Sequence, residues 1–244
     1  MRRRNLLAAG AAFFAAGCSK IGKTDWFGAI VDSATSWHKF SHRAIGSLPL
    51  APEYDRADVS PFFRGNGSQT VDTDAYRAAL ESGFADWTLK VSGMVDRELD
   101  LSLDMLKALP QRTQVTRHDC VEGWSAIGEW TGPQLGTILD MAGIRSDARF
   151  VLFRCADTLN GAEYYESVDM ADAMHPQTIV AHALNGEALP ERNGAPLRVR
   201  IERQLGYKSA KYLTGVEVVD TLEGIGGGEG GYWEDRGYQW YAGI

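Results

Sequence analysis

The chain predicts helices and strands mixed within one domain. Strand-like runs at 88–92, 99–102, 149–155 and 215–219 are interleaved with short stretches of helical spacing. Apolar residues make up 44% of the 244 positions, ample for a sizeable core, and no internal repeat divides the chain. The glycine run at 224–231 is the one biased tract.

Residues 1–17 read as a leader outside the fold. Arg2-Arg3-Arg4 precedes an apolar run to Ala16 that is too short to span a bilayer stably. Arg3-Arg4-Asn5-Leu6-Leu7 fits a twin-arginine export signal, with Arg2 where Ser or Thr is more usual. Ala15-Ala16-Gly17-Cys18 resembles the lipobox of bacterial lipoproteins, whose cysteine is lipidated and becomes the first residue. The expected location is therefore the periplasm, reached already folded, with a lipid anchor to the membrane at Cys18. An ordinary cleaved signal with Cys18 incidental is the competing reading. The formal net charge of −7 becomes more negative once the leader's three arginines are removed. An acidic surface argues against nucleic acid, whose binding rests on Lys and Arg neutralising phosphates.

Residues 18–60 are expected to form a tether. Within it, Phe27, Ile30, Val31, Ala34 and Trp37 recur at helical spacing, so an amphipathic helix is predicted over 25–45. His38 and His42 lie four apart on it, but without a third ligand they read as a solvated face. The proline-bearing stretch 49–61 reads as a polar connection, and the main domain is placed at 61–244.

That domain opens on Gly65-Asn66-Gly67, which by itself is a turn. A short helix is expected over 74–84, a strand over 88–92 ending at Gly93, and a strand over 99–102. A helix over 102–109 is capped by Ser102 and stopped by Pro110. Residues 115–120 read as a strand on which Thr116, His118 and Cys120 share a face. The chain then breaks at Gly123 and is expected to run irregularly to Pro133. From there Leu135, Ile138, Leu139 and Ala142 define a helix ending at Gly143. A cysteine at a strand end, beside a loop of glycine and tryptophan, can be presented into a pocket.

Strands are expected at 149–155 and 164–168, then a short helix at 170–174 ended by His175-Pro176. His175 and His182 read as structural. Residues 179–184 lead into the turn Asn185-Gly186. Gly194-Ala195-Pro196 is a rigid turn with Arg198 just behind it, and arginine's planar fork suits phosphate oxygens. In Gly206-Tyr207-Lys208-Ser209-Ala210-Lys211, a glycine, small residues and a lysine let backbone N–H groups and an ammonium approach an anion. The spacing is not that of a Walker loop. Residues 215–219 read as a closing strand, and aromatic residues follow the glycine run to Tyr238.

Cys120-Val121-Glu122-Gly123-Trp124-Ser125, followed by Trp130-Thr131-Gly132, resembles the cysteine segment of the sulfite oxidase superfamily, whose proteins carry molybdenum bound to a molybdopterin. The resemblance runs from about Pro61 to Tyr238 and includes 87–95, which is similar to the family's entry into its core sheet. It implies a single α+β domain with a twisted, mixed-sheet core of the sulfite-oxidase type that binds molybdopterin. It also implies that Cys120 is the thiolate ligand of the metal and the catalytic cysteine. Asn66 is implied to touch the cofactor, Cys155 to stand where relatives place a small polar residue near the pterin, and Asn193 and Arg198 to hold the pterin and its phosphate. Ser209, Ala210 and Lys211 are implied to bind the phosphate. Ser68-Gln69-Thr70 departs from the aromatic-acidic pair of some relatives, which leaves further contacts there unassigned.

With Cys18 lipidated, Cys120 and Cys155 remain, and in an oxidising compartment their default is a disulfide. That would forbid metal ligation, and the resemblance decides for the metal. The implied chemistry is oxygen-atom transfer, reducing an S-oxide such as methionine sulfoxide, free or protein-bound, or oxidising sulfite on the same cofactor. A sulfite site needs converging arginines, for which Arg64, Arg117 and Arg154 are candidates. The chain has no haem-attachment motif and no cysteine set for an iron–sulfur cluster. Electrons are therefore expected from a redox partner, a membrane haem protein or a soluble cytochrome. With no room after Tyr238 for a dimerisation domain, a monomer is expected. Two other classes compete: a thiol enzyme using Cys120 with His118, and a metal-free binding lipoprotein.

Overall fold

A computed structural model describes residues 24–44 and 49–244. The twin arginines and Cys18 lie outside the described residues. Residues 1–48 and 49–244 are separate compact units. In the first, α1 (Asp25–Ala44) realises the helix expected from its spacing. No helix among the described residues is long and apolar enough to cross a membrane.

In the second unit, α2 (Asp74–Glu81) is capped by the Thr73 side chain, which accepts from the Tyr76 amide. Next come β1 (Thr88–Gly93), β2 (Leu99–Ser102) and α3 (Leu103–Ala108), whose Ser102 cap accepts from the Met105 amide. The hairpin β3 (Gln111–Asp119) and β4 (Ser125–Pro133) leads into α4 (Leu135–Ala142), which ends on left-handed Gly143. After it come β5 (Phe150–Leu159), β6 (Ala162–Asp169), α5 (Met170–Ala173), β7 (Ile179–Ala181), β8 (Ala183–Leu184) and β9 (Glu187–Ala188). The last strands are β10 (Arg198–Arg200) and β11 (Leu213–Val219).

Among the described residues the strands make three sheets. A mixed five-stranded sheet runs β2-β1-β11-β5-β6, with β1 and β11 parallel and its other pairs antiparallel. A four-stranded antiparallel sheet runs β3-β4-β8-β9, and β10 pairs with β7. The main core lies on the mixed sheet. Leu135, Ile138, Leu139 and Ala142 of α4 bury with Leu89, Val91, Val151, Phe153, Val216 and Val218. Each of the Leu, Ile, Val and Phe side chains gains about 1.5–3 kcal/mol from leaving water, so one face of α4 suffices to dock it. The α+β class and the mixed sheet are as expected.

One element differs from expectation. The stretch after Gly123 is not irregular: β4 pairs with β3 in unbroken register from Asp119↔Ser125 to Gln111↔Pro133. Its glycines hid the strand, and both sit where another segment of the same chain comes close. A Cβ on Gly132 would meet the Val180 carbonyl oxygen at 2.0 Å, and one on Gly128 would meet the Phe63 ring at 2.9 Å.

The segment 49–60, which reads as a connection, is fastened to this hairpin. The Tyr54 amide donates to the Val115 carbonyl (2.9 Å) and the Ser60 amide to the Ile127 carbonyl (2.9 Å). Ala51 donates to the Gln177 side chain at 2.7 Å. Its prolines and polar residues concealed a strip of backbone pairing along the sheet. β5 likewise runs past the expected end at Cys155, because a register shift between Arg154 and Thr158 lets pairing with β6 resume.

Candidate functional site

Cys120 stands at the tip of the β3–β4 hairpin. Its amide donates to the Trp124 carbonyl and its carbonyl accepts from Gly123, both at 2.9 Å. Gly123 takes φ +85°, a conformation that favours glycine, so the chain doubles back within four residues. The period of β3 turns Thr116, His118 and Cys120 inward together, and Cys120 is 7% exposed. Burial pushes its thiol pKa up, against a backbone hydrogen bond at Glu122 and the charges of Arg64 and Arg198, which pull it down.

The cavity at Cys120 is lined by Asn66, Ser68, Glu122, Asp157, Tyr164, Tyr207, Ser209, Ala210, Lys211 and Trp233, among others. Of the residues singled out in the sequence, Asn66, Cys120, Ser209, Ala210 and Lys211 thus meet around one space, from three separated stretches of chain. Asn193 and Arg198 lie buried behind the loop. Arg198 donates to the Asn193 carbonyl and to the Ser209 carbonyl, each at 3.0 Å, bracing the 193–194 turn against the phosphate-loop candidate. Gly194 makes that approach possible, because a Cβ there would sit 2.8 Å from the Lys211 Cβ. Cys155 does not line the Cys120 cavity. It lines the neighbouring one, which shares Tyr164 as a wall. Both thiols are free, so the disulfide that the resemblance argued against is not formed: Cys120 directly follows β3, and Cys155 lies on β5 of a different sheet.

The electrostatics favour an anion. Lys211 donates to the carbonyls of Ser68 and Arg192 (the latter at 3.1 Å), and burial beside Arg198 lowers its pKa to about 7. Burial next to Arg200 lowers Arg198 to about 9. Asp157 shares a short hydrogen bond with Ser68, and burial raises its pKa. A bound phosphate would relieve both cations. Free Lys211 loses its proton as pH rises through about 7, and only the ammonium attracts an anion, so binding above that pH must take up a proton. Calorimetry at about pH 8, in buffers of different ionisation heat, counts the protons exchanged on cofactor loading, where uptake at Lys211 offsets the proton that Cys120 would release on binding the metal. Lys211→Met should shift that count by close to one proton towards release.

Sequence reasoning missed the support behind Cys120. Arg200 forks onto Glu202 (3.1 and 2.5 Å) and donates to His118 Nδ1 at 2.5 Å, while Gln114 donates to Glu202 at 2.9 Å. A guanidinium only donates, so Nδ1 accepts and the ring proton sits on Nε2. Burial and the cations Arg200, Arg198 and Lys211 hold the His118 pKa well below its ordinary value. A neutral imidazole facing an arginine cannot pair as imidazolium with a thiolate, so the thiol-enzyme reading loses its ion pair.

The three arginines singled out in the sequence do not converge as a sulfite site would need. Arg117 is tied to Asp119 at 2.9 Å and Arg154 to Glu217 at 2.9 Å. Arg64 alone of the three reaches the mouth, its guanidinium 5.9 Å from the Trp124 ring centre. There Arg192, not singled out in the sequence, joins it in a vestibule of about 390 Å³ with Phe62 and Glu122. Gly67 and Glu122 line both this vestibule and the Cys120 cavity.

The residues fit a large polar cofactor. Among the described residues, Asn66 Oδ1, His118 Nε2, Asp157 Oδ1, both amide atoms of Asn193 and Arg198 Nε are buried without a hydrogen-bond partner. Native interiors leave few such atoms, and a concentration of them marks a missing polar ligand. No group of three or more His, Cys, Asp or Glu among the described residues could hold a metal. A soft metal at Cys120 would therefore have to bring most of its own ligands.

Comparison with known proteins agrees. The family model described as "Oxidoreductase molybdopterin binding domain" matches residues 77–224. Over 194 residues, 80% of this chain and 68% of that protein, the chain is 46% identical to YedZ1 of Azospira oryzae, named as a candidate protein-methionine-sulfoxide reductase subunit. It is 36% identical to MsrP of Xanthomonas axonopodis pv. citri, named as a protein-methionine-sulfoxide reductase catalytic subunit, over 63% of this chain and 51% of that protein. MsrP of Xanthomonas campestris pv. campestris matches to the same extent, so the chain spans about half the length of these two relatives. In structure it is similar to the sulfane dehydrogenase SoxCD of Paracoccus pantotrophus, with TM-score 0.53 and 22% identity, over 57% of this chain and 40% of that one. The cysteine hairpin, the fold and these matches coincide: the chain belongs to the molybdopterin-binding oxidoreductases of the sulfite oxidase superfamily, and its cofactor is molybdenum–molybdopterin.

Proposed function

We propose that the protein is a periplasmic enzyme that reduces an S-oxide, methionine sulfoxide being the model substrate, with electrons from a separate haem protein. The observation that carries this is the set of unpartnered buried donors and acceptors at and behind a cavity that holds one thiol: Asn66 and Asp157 line it, and Asn193 and Arg198 lie behind its loop. The cofactor supplies a centre that changes oxidation state while accepting or giving an oxygen atom. This chain supplies the rest. Cys120 is the thiolate ligand, with its proton lost on metal binding. Asn66, Asn193, Arg198 and the Ser209–Lys211 loop grip the pterin and its phosphate. Cys155 stands close by, across Tyr164.

The mouth favours a neutral, strongly accepting substrate. Phe62 lies under the Arg192 guanidinium at 5.2 Å, so apolar surface and hydrogen-bond donors stand together. A sulfoxide has that character, with carbon on two sides of sulfur and an oxygen that accepts strongly. The relatives' names point the same way. Reduction consumes two electrons and two protons and releases the thioether and water. Export by the twin-arginine route, an anchor at Cys18 and a monomeric state belong to the same proposal.

A reductant-driven assay tests it, comparing methionine sulfoxide, other S- and N-oxides, and sulfite oxidation by protein carrying about one molybdenum per chain. Turnover of methionine sulfoxide is the expected result. Turnover of sulfite alone would reverse the assigned direction, and Arg64 with Arg192 would then be its anion site.

A further inference from the structure

We propose that the apolar face of α1 seats in the surface of a lipid bilayer. Ile30, Trp37 and Phe40 are 54%, 69% and 59% exposed. At about 100° per residue these three fall within an arc of about 80°, so they form one stripe rather than scattered contacts. The Trp37 and Phe40 rings lie 5.5 Å apart on it. In a globular domain a helix turns such a stripe onto the core, because leaving it in water forfeits the burial that makes a short helix stable.

Lipid is the occupant that the chain itself indicates. A Trp and a Phe on one face of a helix that is too polar to cross are the composition of a helix lying in the headgroup region. Asp25 and Asp32 are balanced by Lys39 and Arg43 in the same 20 residues, so attachment is driven by apolar burial and not by lipid charge. The helix also begins seven residues after Cys18. If Cys18 is acylated, as the proposed function has it, the link reaches at most about 25 Å, which keeps the stripe at the membrane.

The test uses the holoenzyme of residues 18–244 with Cys18→Ser, so that no acyl chain contributes. It is floated with phosphatidylcholine vesicles, with and without phosphatidylglycerol. Binding to both kinds is expected, changing little with salt. The double variant Ile30→Glu/Trp37→Glu should weaken binding at least about tenfold, since each exposed apolar group forfeits more than about 1 kcal/mol of burial. Turnover with a soluble reductant should be unchanged in the variant, showing that the catalytic unit is intact. No binding by the parent, or equal binding by parent and variant, overturns the proposal. So does a concentration-dependent dimer of the parent that the variant loses, because a second copy would then cover the stripe. Mass analysis of Cys18 in the native chain is a separate result. An unmodified cysteine removes the anchor from the proposed function and leaves the vesicle measurement standing.

Discussion

Cys120→Ser should lower turnover more than about 100-fold while much of the pterin stays bound. The floor comes from metal sites in which even a partner behind a ligand is worth about 10–100-fold. A serine hydroxyl is a harder donor and far less readily deprotonated, so on the proposed assignment the metal would lose its thiolate ligand. Retention follows from the proposed grip on the pterin: its other contacts would come from Asn66, Asn193, Arg198 and Lys211, and Arg198 is held by carbonyls at 3.0 Å that do not involve Cys120. The measurement is paired, with turnover on one side and molybdenum and pterin per chain on the other. Wild-type turnover in the variant would remove Cys120 from the mechanism. Complete loss of pterin would show that the thiolate, and not the loop, is the anchor.

Much of this site was legible because it rests on short runs of residues. Cys120 through Ser125, Gly194 through Arg198 and Gly206 through Lys211 each declare a local shape, and the resemblance joins them. What stayed hidden depends on partners far apart in sequence. His118 alone is a core histidine; only the fold sets Arg200 against its Nδ1 and fixes which nitrogen keeps the proton. Arg117 and Arg154 looked as available as Arg64 until their carboxylates were placed beside them. Asp157 and Tyr164 carry no motif at all, yet both line the cavity. Among the elements, β4 was lost because Gly128 and Gly132 replace the large residues that would have shown its alternation. The α+β class is untouched by these misreadings, since it rests on the family resemblance and not on any one element.

Lys208→Met should cost about 3–5 kcal/mol of folding stability, a large part of the roughly 5–15 kcal/mol available to a domain. Lys208 is fully buried and donates to Glu166 at 2.8 Å and to Glu234 at 2.5 Å. Methionine fills a similar volume, so the loss is electrostatic: the buried Glu166–Glu234 pair is left without its cation. The cluster ties three pieces together, since Glu166 is on β6, Lys208 ends the 3-10 turn before Ser209, and Glu234 belongs to the C-terminal turn. Breaking it therefore also loosens the loop that reaches the cofactor. Glu234→Gln should behave differently, because one cation then faces one carboxylate and the buried charge balances. Burial, with Glu234 beside it, holds the Glu166 pKa well above the ordinary glutamate value despite Lys208. The folded state thus binds a proton that the unfolded chain has released. That contribution is full below the ordinary glutamate pKa and is lost as pH rises through the elevated one. Between about pH 5 and about pH 8 the denaturant midpoint should therefore change less favourably in the parent than in Glu234→Gln, the opposite contributions of His118 and Lys211 being common to both. Equal slopes in the two proteins would show that Glu166 does not hold the proton, and an unchanged midpoint in Lys208→Met would show that the buried carboxylates find another partner.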